Sequence, residues 1–260
     1  MNIEDPFHEP LHSAKFRINE EERTLPQLRT ILGHENKIIR EAPFSYFHED
    51  HPWVGDTPEA VVATSRKLHN ELLESYHIPS APTEYVISGK NSEKSTIYVI
   101  TERIQGERIQ YVDLKKISDE EKASFSIKME ELYMNLTRYL FDKIRDGGLY
   151  CADIFSDRQF VYGKAGEYDQ AKIYLVDVDL PEIQRAESES TYYLFAKFRS
   201  IIWYIEKTEQ QLQVRLVKAR QNFVESLQAL PRSFIERGDV DEQRKLKDDR
   251  QKLLTKLSEN

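Results

Sequence analysis

The chain has 260 residues, of which 39% are hydrophobic and 11% aromatic. This composition argues against a disordered protein and allows a substantial folded core. Acidic residues outnumber basic ones by 45 to 37, for a formal net charge of -8 at pH 7. Such a balance argues against a dedicated surface for duplex nucleic acid, so we expect no nucleic-acid partner.

The sequence shows no signal for export or for membrane insertion. The N-terminal segment MNIEDPFHEP is acidic and contains prolines, and it lacks the basic and apolar regions of a secretory signal. No apolar run approaches the roughly 18 residues that span a bilayer. The single cysteine, Cys151, excludes an internal disulfide. We therefore expect a reducing compartment, most simply the cytoplasm, and no membrane partner.

The first part of the chain is rich in strand signals and contains one helix. Residues 1–24 are polar and predict an extended or loosely packed arm. The segment LPQLRTILGHENKIIR, from 25 to 40, predicts two strands around a turn at Gly33. TPEAVVATSRKLHNELLESY predicts an amphipathic helix, because a Thr cap precedes a proline in the first turn. PTEYVISG and STIYVITERI are rich in Val, Ile, Thr and Tyr and predict a hairpin.

The second part of the chain is predominantly helical. A long helix is predicted for ISDEEKASFSIKMEELYMNLTRYLFDKIRDGG, with Ser118 and Glu121 in a capping box and a Gly–Gly pair at its end. Two short strands are predicted at 160–163 and 172–178, and further helices after 190. The charged segment RKLKDDRQKLLTKL near the C-terminus predicts a surface or packing helix, with a partner-binding helix as the alternative.

The change from strands to helices near residues 103–112 predicts two lobes. We expect an N-terminal arm at 1–24, an N-lobe at 25–104 and a C-lobe at 105–260. The predicted fold class is α+β, with a small β-rich N-lobe and a mostly helical C-lobe.

Two consecutive strand ends in the C-lobe carry carboxylates. A strand ending in TERIQG is followed by the long helix, then by LYCADIFSDRQFVYG, and then by KIYLVDVDL. This order of elements resembles the catalytic core of the protein-kinase-like superfamily, including its small-molecule phosphotransferase branches. The resemblance covers roughly residues 25 to 200, and it implies a two-lobed kinase-like fold.

The resemblance implies roles for five residues of the C-lobe. Asp153 would be the catalytic aspartate that orients the acceptor hydroxyl, and Asp177 would hold Mg²⁺, which prefers carboxylate oxygen. Arg158 stands where the family has a metal-binding asparagine; if one residue is inserted, Gln159 takes that position. Asp179 belongs to the DVD that replaces Asp–Phe–Gly, and it favours the small-molecule branch as a further candidate metal ligand.

The N-lobe residues would bind the nucleotide. The resemblance places Thr101 at the gatekeeper position and Glu102 at the hinge between the lobes. The segment LGHENKIIR contains one glycine, whereas the phosphate-binding loop of the family has several.

A cation on the strand after this loop would anchor the phosphates. The pattern KIIR places Arg40 best, with Lys37 as the alternative. The acid that pairs with this cation would come from the following helix, where the spacing leaves Glu71 and Glu74 open.

The resemblance implies an ATP- and Mg²⁺-dependent phosphotransferase that acts on a hydroxyl of a small molecule or a protein. The alternative is a pseudokinase, a nucleotide-binding or protein-interaction module without catalysis. A third hypothesis is an unrelated α+β scaffold whose acids coincide with the family's positions. The segment HEDHPW does not have metal-ligand spacing and predicts a packing loop. Cys151 is predicted to be a small buried residue rather than a nucleophile.

Overall fold

An antiparallel sheet forms the N-terminal part of the protein in the computed structural model. The structure describes residues 7–12, 15–18, 21–24, 28–31, 34–44, 52–88, 95–166, 170–176 and 183–258. The first strands are β1 (Phe7–His12), β2 (Lys15–Ile18), β3 (Glu21–Thr24), β4 (Leu28–Ile31) and β5 (His34–Pro43). Within the segment predicted as an arm, β1 pairs with β4, whereas β2 and β3 pair with each other.

Helix α1 (Pro58–Tyr76) follows β5 and leads to the hairpin of β6 (Thr83–Ser88) and β7 (Thr96–Glu102). The Thr57 hydroxyl accepts a hydrogen bond from the Ala60 N–H at 3.1 Å, so the predicted cap is confirmed. The described strands form a five-stranded sheet in the order β1-β4-β5-β7-β6. The helix therefore connects the central strand to the far edge of the sheet.

The C-terminal part contains short strands and long helices. Its strands are β8 (Gln105–Arg108), β9 (Leu149–Cys151), β10 (Phe160–Lys164), β11 (Lys172–Leu175) and β12 (Ile183–Arg185). Its helices are α2 (Asp119–Asp146), α3 (Thr191–Leu212), α4 (Val217–Gln228), α5 (Arg232–Ile235) and α6 (Val240–Ser258). None of the helices in the described residues combines the length and the apolarity needed to cross a lipid bilayer.

Helix α2 begins at the predicted capping box. The Glu121 N–H donates to the Ser118 hydroxyl at 3.2 Å, and the Ser118 N–H donates to the Glu121 carboxylate at 2.8 Å. Gly147, with a φ of 78°, ends the helix in a conformation that glycine adopts readily. These local signals explain why the longest helix was correctly predicted.

Strand β8 follows the N-terminal sheet and pairs with β10, in a three-stranded sheet of order β11-β10-β8. Gly106 and Gly163 lie opposite each other in this pairing. A Cβ atom on Gly106 would lie 2.1 Å from the Tyr162 carbonyl oxygen, so the close approach of the two backbones requires glycine. The predicted lobe boundary lies between β7 and β8.

Helix α6 packs against the helical core. Leu246 is fully buried, and Leu253 and Leu257 are partly buried against the main apolar cluster. The Arg250 side chain donates to the Leu227 carbonyl at 2.9 Å, near the end of α4. The apolar stripe of α6 is therefore used for packing within the chain.

The chain has the predicted α+β class, with an antiparallel sheet in its N-lobe and a mostly helical C-lobe. In the chain, helix α1 lies between strands β5 and β6 of the N-lobe sheet. In the C-lobe, the long helix α2 precedes the loop that contains Asp153.

An ion pair joins the two lobes. The Lys143 ammonium of α2 lies 2.6 Å from the Glu71 carboxylate of α1, and it lies 5.4 Å from the centre of the Tyr139 ring. One turn further along α1, the Tyr76 hydroxyl donates to the Asp142 carboxylate at 3.1 Å. Lys143 is only 9% exposed, so its charge depends on these partners for compensation.

Replacing Lys143 by methionine should reduce the free energy of unfolding by about 2–3 kcal/mol, because the Glu71 carboxylate loses its cation in a partly buried site. The control is Lys122→Met, which removes a pair with the exposed Asp119 and should cost less than about 1 kcal/mol. Urea unfolding of both variants measures the difference. Equal losses would contradict a stabilising role for the Lys143–Glu71 pair.

Candidate active site

The loop between β9 and β10 carries Asp153 and Gln159. Residues 152–155 and 157–159 form two consecutive 3-10 turns. The Ser156 N–H donates to the Asp153 carbonyl at 3.2 Å, and the Gln159 N–H donates to the Ser156 carbonyl at 3.1 Å. Ser156, which lies between the two turns, is therefore hydrogen bonded to the backbone of both Asp153 and Gln159.

The structure brings Gln159 to Asp153. The Gln159 Nε2 atom donates to the Asp153 Oδ2 atom at 2.5 Å. An ionised carboxylate only accepts hydrogen bonds, so the amide must present its nitrogen, and its Oε1 atom lies on the other side of the group. Arg158, by contrast, is exposed to solvent. Of the two residues considered for the asparagine position, Gln159 is the one that contacts the aspartate.

The same loop is hydrogen bonded to the strand that precedes the second acidic segment. The Val176 N–H, just after β11, donates to the Gln159 carbonyl at 2.9 Å. Asp177 and Asp179 follow Val176 in the sequence but lie outside the described residues. Among the residues that the structure describes, no cluster of three or more His, Cys, Asp or Glu side chains could hold a metal ion.

Arg40 and Lys37 lie on opposite faces of the N-lobe sheet. They are three positions apart on β5, and successive side chains of a strand alternate between its faces. Arg40 lies opposite Val99 of β7, which packs against the main apolar cluster. The Lys37 ammonium lies 3.4 Å from the carboxylate of Glu84, which is 69% exposed. Arg40 is therefore on the face toward the core, and Lys37 is paired with an acid at the surface.

Thr101 and Glu102 end strand β7. Thr101 lies between Ile38 on β5 and Thr83 on β6, and its hydroxyl is 3.4 Å from the Thr83 hydroxyl. The Glu102 N–H donates to the Pro82 carbonyl at 2.9 Å. Both residues are partly buried where the chain leaves the N-lobe sheet.

The face of α1 that contacts the sheet carries polar residues that the sequence did not single out. The Ser65 hydroxyl is hydrogen bonded to the Tyr85 hydroxyl at 2.5 Å, and the His69 and Tyr85 rings lie 6.2 Å apart. Tyr85 lies opposite Val99, in the same cross-strand row as Arg40. In the sequence, these residues could have been found from their spacing, because Ser65 and His69 are four residues apart within the apolar stripe of the helix.

The two acids considered as partners of the anchoring cation lie elsewhere on α1. Glu71 is engaged with Lys143 of the C-lobe. Glu74 is exposed. On the face of α1 toward Tyr85, the polar residues are Ser65 and His69 rather than Glu71 or Glu74.

No family model and no curated protein sequence matches this chain. A solved structure described as WaaP in complex with acyl carrier protein is similar over 94% of this chain and 89% of that chain. The sequence identity is 12% and the TM-score is 0.44.

Burial lowers the pKa of His69 from 6.5 to about 4, and its Nε2 atom has no hydrogen-bond partner within the described residues. The unfolded chain therefore takes up this proton at a higher pH than the folded protein does. Folding stability should fall as the pH decreases from about 6.5 toward about 4.

The variant His69→Leu should show a smaller loss of stability between about pH 7 and about pH 5, because the proton uptake by the unfolded state is removed. Urea midpoints at both pH values measure the effect. His77→Asn is the control, since His77 is exposed and asparagine tolerates its left-handed φ of 51°. An unchanged pH dependence in His69→Leu would contradict the prediction.

Proposed function

We propose that the protein is a kinase-like phosphotransferase that transfers a phosphoryl group from ATP to a hydroxyl of a small-molecule or protein acceptor. The observation that carries this proposal is the contact between Gln159 and Asp153, with Arg158 directed to solvent. An arginine beside the aspartate would repel a divalent cation, whereas an amide supplies a neutral oxygen ligand.

Asp153 would orient the acceptor. Its side chain is partly exposed, so a hydroxyl can reach the carboxylate from the solvent side. A carboxylate that accepts a hydrogen bond from the hydroxyl aligns its oxygen lone pair for attack and accepts the proton as the bond to phosphorus forms. The hydrogen bond from Gln159 holds this carboxylate in one rotamer.

Gln159 and Asp177 would hold Mg²⁺, with Asp179 as a further ligand. The fit to a hard cation follows from the donor chemistry, because the amide nitrogen of Gln159 is engaged by Asp153 and its oxygen remains for the metal. Bound Mg²⁺ would neutralise the charge of the phosphates. The hydrogen bond from the Val176 N–H to the Gln159 carbonyl supports this pairing, because it holds Gln159 beside the end of β11.

The nucleotide would lie against the core-facing side of β5 and the end of β7. Arg40 would pair with its phosphates, since it is on the face toward the core, whereas Lys37 pairs with the surface acid Glu84. Thr101 and Glu102 would line the side of the base where β7 ends.

One observation favours the second candidate function, a pseudokinase that binds nucleotide or a protein partner without catalysis. Active protein kinases need an ion pair between the strand cation and an acid of the following helix. Here Glu71 is engaged with Lys143, and Ser65 and His69 occupy the face of α1 toward Tyr85. The two candidates share the nucleotide site and differ in whether transfer occurs.

The proposal predicts a magnesium-dependent increase in melting temperature with ATP, because a ligand that binds only the folded state stabilises it. Asp177→Ala should lose the magnesium dependence, and a thermal-shift titration with and without Mg²⁺ measures this. An increase that is independent of magnesium would favour the pseudokinase. No shift at millimolar ATP would refute the phosphotransferase and the nucleotide-binding form of the pseudokinase.

The two candidate anchoring cations should behave differently. Arg40→Met should weaken ATP binding about tenfold or more, because it removes a charge-assisted contact with phosphate. Lys37→Met should leave the affinity within about twofold, because Lys37 lies on the other face of the sheet and pairs with the exposed acid Glu84. Isothermal titration with ATP and Mg²⁺ gives both dissociation constants, and the reverse ranking would contradict the assignment of Arg40.

A further inference from the structure

An ion pair joins the middle of the Asp153 loop to helix α3. The Lys207 Nζ atom lies 2.9 Å from the Asp157 Oδ2 atom. The Asp157 side chain is only 9% exposed and that of Lys207 is 32% exposed, so solvent screens this pair less than a surface pair. The Lys207 ammonium also lies 5.1 Å from the centre of the Trp203 ring, one turn earlier on the helix.

Helix α3 provides a firm attachment at this point. The residue after Lys207, Thr208, has its hydroxyl 2.8 Å from the Tyr133 hydroxyl of α2, in a buried contact. Two residues before Lys207, Ile205 is completely buried. Lys207 is therefore carried by a part of α3 that cannot shift without disturbing the packing between α2 and α3.

The loop is held by local hydrogen bonds and by a non-local bond, from the Val176 N–H to the Gln159 carbonyl. Those from Ser156 and Gln159 reach back only three residues. Buried Ile154 and Phe155 anchor the first turn by apolar contact. Asp157 belongs to the second turn, which carries Arg158 and Gln159.

The rotation of the second turn decides which side chain faces Asp153. A 3-10 helix has three residues per turn, so neighbouring side chains differ by about 120°. A rotation of that size would exchange Gln159 for Arg158 beside Asp153. Asp157 is the remaining residue of this turn, so its side chain points in a third direction. It forms the ion pair with Lys207.

We propose that Lys207 is a positioning residue for the candidate catalytic loop. Its ion pair with Asp157 holds the second turn in the rotation that directs Gln159 toward Asp153 and Arg158 toward solvent. The structural part of this inference is independent of activity, whereas its effect on phosphoryl transfer rests on the proposed function.

The test compares Lys207→Met with a matched control, the neighbouring ion pair between Glu206 of α3 and Lys256 of α6. Lys256→Met breaks the pair of Lys256 with Glu206, the residue beside Lys207, whose shortest distance is 2.8 Å. Both substitutions remove one lysine charge from an ion pair of α3, and only the first pair reaches the loop. Lys207→Arg keeps the charge and should behave like the wild type.

Hydrogen exchange at the Val176 amide measures the loop directly, because this amide is bonded to the Gln159 carbonyl. We expect exchange to be about tenfold faster in Lys207→Met, and unchanged in Lys256→Met and Lys207→Arg. Asp157→Asn removes the other charge and should accelerate exchange as Lys207→Met does, so it replaces that variant should the latter fail to fold. Equal exchange in all variants would overturn the proposal.

Kinetics separate this inference from the proposed function. For a phosphotransferase, Lys207→Met should lower kcat about tenfold or more, since the Asp153 carboxylate and the candidate metal ligand Gln159 lose their alignment, and Lys207→Arg should keep the wild-type kcat. Absence of ATP binding and turnover in the wild type would refute the proposed function, and the exchange experiment would still decide the role of Lys207. A normal kcat in Lys207→Met with accelerated exchange would overturn the positioning role.

Discussion

The arrangement of the candidate site depends on the buried side chain of Tyr139 in helix α2. Its hydroxyl accepts a hydrogen bond from the Cys151 N–H at 3.1 Å, two residues before Asp153. Its ring packs edge-on against Tyr76 of α1, at 4.9 Å between centroids, and lies beneath the Lys143 ammonium. One aromatic side chain thus connects the start of the loop, the long helix and the N-lobe helix. Burial raises the pKa of this phenol well above its ordinary range, so it remains a neutral hydrogen-bonding group.

The contact between α1 and α2 determines the surroundings of Glu71. Glu71 stabilises the interface between the lobes through Lys143 and is not directed at the row of the sheet that contains Arg40. The polar contact of α1 with that row is made instead by Ser65 and Tyr85, a neutral hydrogen bond. Glu71 is thus used in the contact between the two helices.

The predictions that rested on local chemistry agree with the structure. The Ser118 capping box and the Thr57 cap act within a few residues, so the amino-acid order alone identifies where α1 and α2 begin. Local chemistry could not decide whether Gln159 or Arg158 contacts Asp153. That choice depends on the rotation of a 3-10 turn, which is coupled to Lys207, a residue 50 positions away from Asp157 in the sequence. Neither local propensity nor spacing contains that information.

The sequence by itself determined the principal helices, the α+β class and the position of the loop that carries Asp153, because caps, turns and apolar periodicity are properties of short segments. It did not predict the strands within residues 1–24. Only the tertiary structure decided which side chains meet. Sheet register separated Arg40 from Lys37 onto opposite faces, and helix packing directed Glu71 to Lys143. Such pairings join residues that are distant in sequence, and their geometry exists only once the chain has closed those long loops.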